Sequence, residues 1–165
     1  MKNRVKAALV SAAAVPALAL SATAASAGTS AHSGYEAFTI HQDLSMPNGG
    51  TVNMWGALTG YNGLDNETSQ TTGTFEFRGG NVYVRHSSVP NPHINKYTCA
   101  GTLNYSGYWA FTGGSGKYRY AKGNGRFWLN EYLKLKKKHG KCDTNQNDEP
   151  AAFNLNVYAQ GVASR

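Results

Sequence analysis

The chain has 165 residues, 16 basic against 9 acidic, a formal charge of +7 and two cysteines. That length suits one domain with a proper core. Two cysteines without CxxC or HxxxH spacing exclude a zinc site, and no metal is expected.

The first 27 residues read as a secretory leader. "MKNRVK" supplies a positive start, "AALVSAAAVPALALSATA" an apolar run, and Ala25, Ser26 and Ala27 a small-residue cleavage site. The arginine pair of a twin-arginine signal is absent, which favours the general secretory route. No second apolar run of about 18 residues follows, so no transmembrane segment is expected in the mature chain. That chain is expected to begin near Gly28 and to form a single secreted, extracellular domain over residues 28–165. Lys2, Arg4 and Lys6 leave with the leader, so 13 basic residues face 9 acidic ones, a charge of +4. Lys134, Lys136, Lys137 and Lys138 concentrate that charge in one patch.

The mature part reads as strands without a convincing helix. "YEAFTIHQDL" (35–44) alternates and stops at "MPNGG"; "TVNMWGALTG" (51–60) alternates again. "YNGLDNETSQTTG" (61–73) reads as a polar loop. "TFEFRGGNVYVRHSS" (74–88) reads as a hairpin turning at Gly79–Gly80. "VPNPHINKYTCAG" is a Pro/Asn loop. Three longer strands are expected at 102–114, 125–138 and 151–161. Seven strands joined by short Gly/Asn turns describe an antiparallel barrel or sandwich. The barrel is preferred because closure removes exposed edges, and Gly56 and Gly107 suit the bends that closure needs. In an oxidising compartment Cys99 and Cys142 are expected to form a disulfide; the alternative is two buried thiols.

"FTGGSGKYRYAKGNGRFW" (111–128) invites a comparison with phosphate cradles. The Walker pattern fails because Tyr118 follows Gly116–Lys117 and Phe111 occupies the earlier glycine position. The dinucleotide fingerprint lacks its third glycine. A corner between two strands is the better reading, since glycine permits positive φ. The segment resembles the strand–turn–strand element of the allene oxide cyclase and dirigent-like barrels, through Gly113, Gly114, Gly116, Lys117, Tyr118, Ala121, Gly123, Gly125 and Phe127. The upstream "FEFRGGNVYVRH" has the flavour of the hairpin that precedes it there. The resemblance implies an all-β, antiparallel, calycin-like barrel of about seven or eight strands that holds small apolar or phenolic molecules. It also makes a homo-oligomer, a trimer or a dimer, plausible. No segment carries over that family's catalytic residues.

Alternation points Phe38, Ile40, Val52, Met54, Phe75, Val82, Val84, Leu103, Phe153 and Val157 inward, among others. A ligand-sized interior would be lined by Trp109, Phe111, Phe127 and Leu129. Two polar residues interrupt the inner rows: Glu131 between Leu129 and Leu133, and His86 after Val82 and Val84. With the phenol of Tyr105 they could form an acid–base group, the carboxyl being raised by desolvation. Equally, both could sit at strand ends near water or be satisfied by hydrogen bonds. No G-x-S-x-G elbow accompanies Ser115, so hydrolysis is discounted.

The outer rows repeat amides and aromatics: Asn53 and Trp55; Tyr83 and Arg85; Trp128, Asn130 and Tyr132; Asn154, Asn156 and Tyr158. Such a face suits sugar rings, a subunit interface, or an ordinary outer sheet surface. Lys134, Lys136, Lys137, Lys138 and Lys141, with His139, are expected at a hairpin tip that could attract an anionic cell-surface polymer. No specific nucleic-acid partner is expected, because aromatics are not interleaved with the lysines. The leading expectation is a secreted barrel that binds a small apolar or aromatic molecule inside, with no cofactor. The alternatives are a cofactor-independent cyclase or isomerase using Glu131, His86 and Tyr105, and a cell-surface or glycan-interaction protein using the outer aromatic face and the basic hairpin.

Overall fold

A computed structural model of the chain describes residues 33–46, 49–145 and 148–165. The expected leader over residues 1–27 lies outside the described residues. The strands are β1 (Ser33–Asp43), β2 (Gly50–Gly56), β3 (Gly60–Ser69), β4 (Thr72–Phe77), β5 (Gly80–His86), β6 (Ala100–Gly114), β7 (Lys122–Lys134), β8 (Lys137–Lys138), β9 (Lys141–Cys142) and β10 (Ala152–Ser164). Eight of them close an antiparallel barrel in the order β1-β10-β7-β6-β5-β4-β3-β2, and β8 pairs with β9 as a separate small hairpin. The expected barrel is therefore present, with one strand more than the residue pattern marked.

The extra strand corrects the reading of residues 61–73, which form most of β3 and the start of β4 rather than a polar loop. The inner positions of β3 hold Gly60, Gly63 and Asp65, all buried, where an apolar row would ordinarily announce a strand. The glycines are there because of Phe77. A Cβ at Gly60 or at Gly63 would run into the Phe77 ring. Small residues on one strand accept a large ring from its neighbour, and the period-2 signal disappears. A second correction concerns residues 125–138: β7 ends at Lys134, and Lys137–Lys138 belong to the small hairpin.

The interior is filled by rings. Phe38 lies 5.1 Å from Phe75 and 5.2 Å from Trp109, and Trp109 lies 4.5 Å from Phe111 between ring centroids. Such aromatic pairs contribute beyond their buried area, and full burial of each apolar side chain stabilises by roughly 1.5–3 kcal/mol. Gly107, midway along β6, gives room to Phe127, whose ring a Cβ there would approach to 2.7 Å. Where β1 begins, the barrel is stoppered by a single 3₁₀ turn at Gly116–Tyr118. Tyr118 is buried and its hydroxyl donates to the Thr59 carbonyl at 2.6 Å.

That turn is the corner expected of the glycine-rich segment. Gly116 has φ +55, and a Cβ there would collide with the Gly79 carbonyl. The Lys117 N–H donates to that same carbonyl at 3.0 Å, and the Ser115 N–H donates to Asn81 O at 2.8 Å. The corner thus locks onto the β4–β5 turn.

Cys99 and Cys142 form the expected disulfide, with Cα atoms 5.3 Å apart. It staples β9 to the turn that leads into β6. Beside it the Leu135 N–H donates to Cys99 O at 2.8 Å.

Candidate functional site

At the end of the barrel where β1 finishes, the inner rows turn polar. His86 closes the Val82, Val84 row, and both its ring nitrogens face acceptors: Nδ1 the Ser87 carbonyl at 3.0 Å and Nε2 the Glu67 carboxylate at 3.0 Å. Only an imidazolium can donate to both. Burial alone would lower the pKa of His86, but the Glu67 hydrogen bond and charge, the Ser87 carbonyl and the charge of Asp65 together raise it. Protonated, His86 forms an ion pair with Glu67, and its ring and that of Phe127 meet edge to face at 6.4 Å.

Tyr105 also packs against Phe127, at 6.0 Å between ring centroids. Glu131 is half-buried on the inner face, in register with Leu103 and Leu155, and burial raises its pKa. Among the described residues no hydrogen bond or ion pair joins Glu131 to His86 or to Tyr105. The three residues expected to work together share one end of the barrel without forming one constellation. Trp109, Phe111, Phe127 and Leu129, expected to line a pocket, are buried within the packed core, and the Trp109 indole donates to Arg126 O at 3.2 Å.

Two buried carboxyls escaped the sequence reading. Asp65 is 5% exposed, with Oδ1 unpartnered. Burial, then the charge of Glu67, pushes it up to about 7 against the opposing pull of His86. Glu36 is fully buried near the stoppered end; its Oε2 accepts the Leu58 N–H at 2.7 Å and its Oε1 has no partner. Burial pushes it up to about 7, the hydrogen bond from Leu58 acting the other way. Glu36 was legible, because it continues the inward Phe38, Ile40 row of β1. Asp65 was not, because its segment carries no alternation. Among the described residues no group of three or more His, Cys, Asp or Glu could hold a metal ion. Nor is any helix among them long and apolar enough to cross a membrane.

The outer face of β6, β7, β10 and β1 is differently built. Side chains pointing outward alternate along each strand, and the register aligns them into cross-strand rows. One row is Asn104, Asn130, Asn156 and His41. The next, two residues along each strand, is Ser106, Trp128, Tyr158 and Thr39. In the first row Asn130 Nδ2 donates to Asn104 Oδ1 at 2.7 Å, and His41 Nδ1 lies 2.8 Å from Asn156 Oδ1. An amide oxygen only accepts, so Nδ1 carries the proton. Asn156 Nδ2 in turn donates to Asn154 Oδ1. These bonds fix the amide planes, and among the described residues Asn104 Nδ2 and Asn130 Oδ1 have no side-chain partner.

In the second row the rings of Trp128 and Tyr158 stack on each other, 6.0 Å between centroids and with their planes 26° from parallel. Each remains 41% exposed. Tyr35 extends the platform, its hydroxyl 3.4 Å from that of Tyr158. Together the two rows line a shallow, open concavity of about 650 Å³.

Beyond the last turn of β7 stands the basic hairpin. His139 and Gly140 both have positive φ, 51° and 77°, as a two-residue primed turn requires. Lys138 reaches Asp143 and Asp148, each at 3.9 Å. Among the described residues Lys134, Lys136, Lys137 and Lys141 have no ion-pair partner within 4.0 Å.

The chain matches no protein-family model, no curated protein and no solved structure.

Proposed function

We propose that the protein is a secreted polysaccharide-binding module whose contact surface is the outer face of β6, β7, β10 and β1. The observation that carries this reading is the stacked, half-exposed Trp128–Tyr158 pair set directly beside a hydrogen-bonded row of amides. The C–H face of a sugar ring is apolar and lies flat on the electron-rich face of an aromatic ring. Its hydroxyls then project sideways, where the amides can both donate and accept. A rigid, open platform suits a chain that extends past both ends of the site.

A second copy of the same chain would suit this face less well. Interface cores are more apolar than the rest of a surface, about two-thirds non-polar, whereas here asparagines, a histidine, Thr39 and Ser106 surround two half-exposed rings. Secretion agrees with the Cys99–Cys142 bridge, which persists in oxidising compartments. The likeness to allene oxide cyclase and dirigent-like barrels concerns one corner of the fold, and fold alone does not choose a function.

The readings that place the chemistry inside have less support. A small apolar ligand would compete for space with Phe38, Phe75, Trp109, Phe111 and Phe127, which pack against one another. A cyclase using Glu131, His86 and Tyr105 would need a free imidazole nitrogen, and both nitrogens of His86 are engaged.

Affinity electrophoresis through gels containing soluble plant and microbial polysaccharides tests the proposal. The wild type should be retarded by at least one of them, and Trp128→Ala and Tyr158→Ala should each lose most of that retardation while keeping their near-UV circular dichroism. Equal mobility of wild type and both variants in every gel would overturn it, and dimerisation abolished by the same substitutions would reassign the face to a subunit contact.

A further inference from the structure

The outward row of β7 does not stop at the aromatic platform. Read along the strand it runs Arg126, Trp128, Asn130, Tyr132, Lys134, all exposed. At about 3.3 Å per residue that row is about 26 Å long. It begins and ends on a cation. The Arg126 guanidinium lies over the Tyr108 ring at 5.4 Å. Lys134 leads through Leu135 and Lys136 into the hairpin of Lys137–Lys138 and Lys141–Cys142.

The hairpin is held firmly against the barrel. The disulfide ties Cys142 to Cys99, and the Asp143 N–H donates to Lys136 O at 2.8 Å. Cys142 Sγ also lies 3.3 Å from the Lys96 carbonyl, which brings the Lys96–Tyr97 turn to the hairpin's base. Tyr97 is 73% exposed, and Lys96 Nζ stands 5.1 Å from its ring centroid. Of the three acids beside the hairpin, Asp143 and Asp148 are both directed at Lys138, and among the described residues the exposed Glu149 makes no ion pair within 4.0 Å. The charge of Lys96, Lys137 and Lys141 is left facing solvent.

Resting on the reading of the outer face as a polysaccharide surface, we infer that the polymer is anionic. It carries carboxylate or sulfate groups, lies along β7 with sugar rings on Trp128 and Tyr158, and meets the stapled lysine hairpin with its charges. Charge complementarity selects this class. An array of unpaired cations at the end of a neutral-sugar platform would give a neutral polymer nothing, while it would hold and attract an acidic one. The placement of the aromatics speaks against nucleic acid. Stacking modules intersperse aromatics with the backbone-binding cations, whereas the hairpin of Lys137–Lys138 and Lys141–Cys142 carries no aromatic of its own and the Trp128–Tyr158 stack lies apart from it on β7 and β10.

Three soluble polymers sharing one backbone test the inference: hydroxyethyl cellulose, carboxymethyl cellulose and cellulose sulfate, with an oligothymidylate as the nucleic-acid arm. Dissociation constants are measured for the full secreted protein at low and at raised salt. One of the two acidic polymers should bind about tenfold or more tightly than the neutral one at low salt, and that advantage should shrink as salt screens it. Whichever acidic polymer leads, carboxylate or sulfate, identifies the group recognised. Combined Lys96→Ala, Lys137→Ala and Lys141→Ala should bring the acidic polymer down to the affinity of the neutral one, and Trp128→Ala should weaken both. Equal affinity for neutral and acidic polymers overturns the inference and leaves the polysaccharide reading standing. Binding to none of the three overturns both, and tighter binding to oligothymidylate than to either acidic glucan replaces the polymer by nucleic acid.

Discussion

Glu36→Gln should remove much of the pH dependence of this protein's stability. Glu36 is fully buried, its Oε1 has no partner, and its pKa is raised from an ordinary 4.5 to about 7. Below about 4.5 the carboxyl is neutral in both folded and unfolded chains, and burial costs nothing electrostatic. Between 4.5 and 7 the unfolded chain has released the proton and the folded chain has not, so unfolding releases a proton and stability falls as pH rises. Each pH unit is worth about 1.4 kcal/mol, so the whole window amounts to about 3 kcal/mol. Above 7 the loss is complete and the curve is flat again. Asp65, raised to about 7 for the same first reason, adds a fall of the same sign, so the wild-type curve alone cannot apportion the effect. The difference between variant and wild type can. Glutamine keeps a carbonyl oxygen for the Leu58 N–H and has no proton to lose. Urea unfolding at a series of pH values from 4 to 8, with linear extrapolation, should show the variant gaining on wild type by up to about 3 kcal/mol across the window. Parallel curves for the two proteins would refute the reasoning, for they would mean that Glu36 ionises in the folded barrel as readily as in the open chain.

The remaining predictions are narrower. Replacing Cys99 and Cys142 together by serine opens a loop closed over a sequence separation of 43, and should lower unfolding free energy by about 4 kcal/mol, read from the urea midpoint. Glu67→Gln should lower the pKa of His86, followed by NMR titration of its ring, because it removes the charge and weakens the hydrogen bond that oppose burial; an unmoved titration would show that Ser87 and Asp65 suffice. Alanine at Trp128 should cost binding but change the urea midpoint little, since outward substitutions away from packing usually stay within about 0.5 kcal/mol.

How much of this was legible follows from what each strand must bury. β1, β5, β6, β7 and β10 each carry an apolar row facing the core, and alternation alone located them. β3 carries glycines and an aspartate there, because the ring it faces belongs to β4; local sequence contains no trace of a partner's volume. The same limit applied to the surface. Trp128, Asn130, Asn156 and Tyr158 stood out as amides and aromatics, but Asn104, Ser106, Thr39 and His41 did not, since each looks ordinary within its own strand. They become one site only through register, and register is fixed by pairs such as Asn104 with Asn130 and His41 with Asn156. His86 illustrates the converse. Alternation placed it inside correctly, yet its partner Glu67 lies in the strand that was read as a loop, so the ion pair could not be foreseen.

The filled interior has a physical basis in the barrel's own dimensions and residues. An eight-stranded barrel has an interior just wide enough either for side chains to fill or for one small ligand, and the residues decide which. This chain fills it with aromatic rings and then empties facing positions to glycine so that the rings fit, as Gly107 does for Phe127 and Gly60 and Gly63 do for Phe77. A ligand inside would have to displace rings that already hold the fold together, and each displaced ring would withdraw roughly 1.5–3 kcal/mol of burial. The outward rows carry no such obligation. Trp128 and Tyr158 could be serine or threonine without loss of core, and half-exposed rings on a surface invite unwanted association. On the proposed reading, large apolar side chains in rows that packing does not need, stacked beside amides that are already hydrogen-bonded, are there for binding.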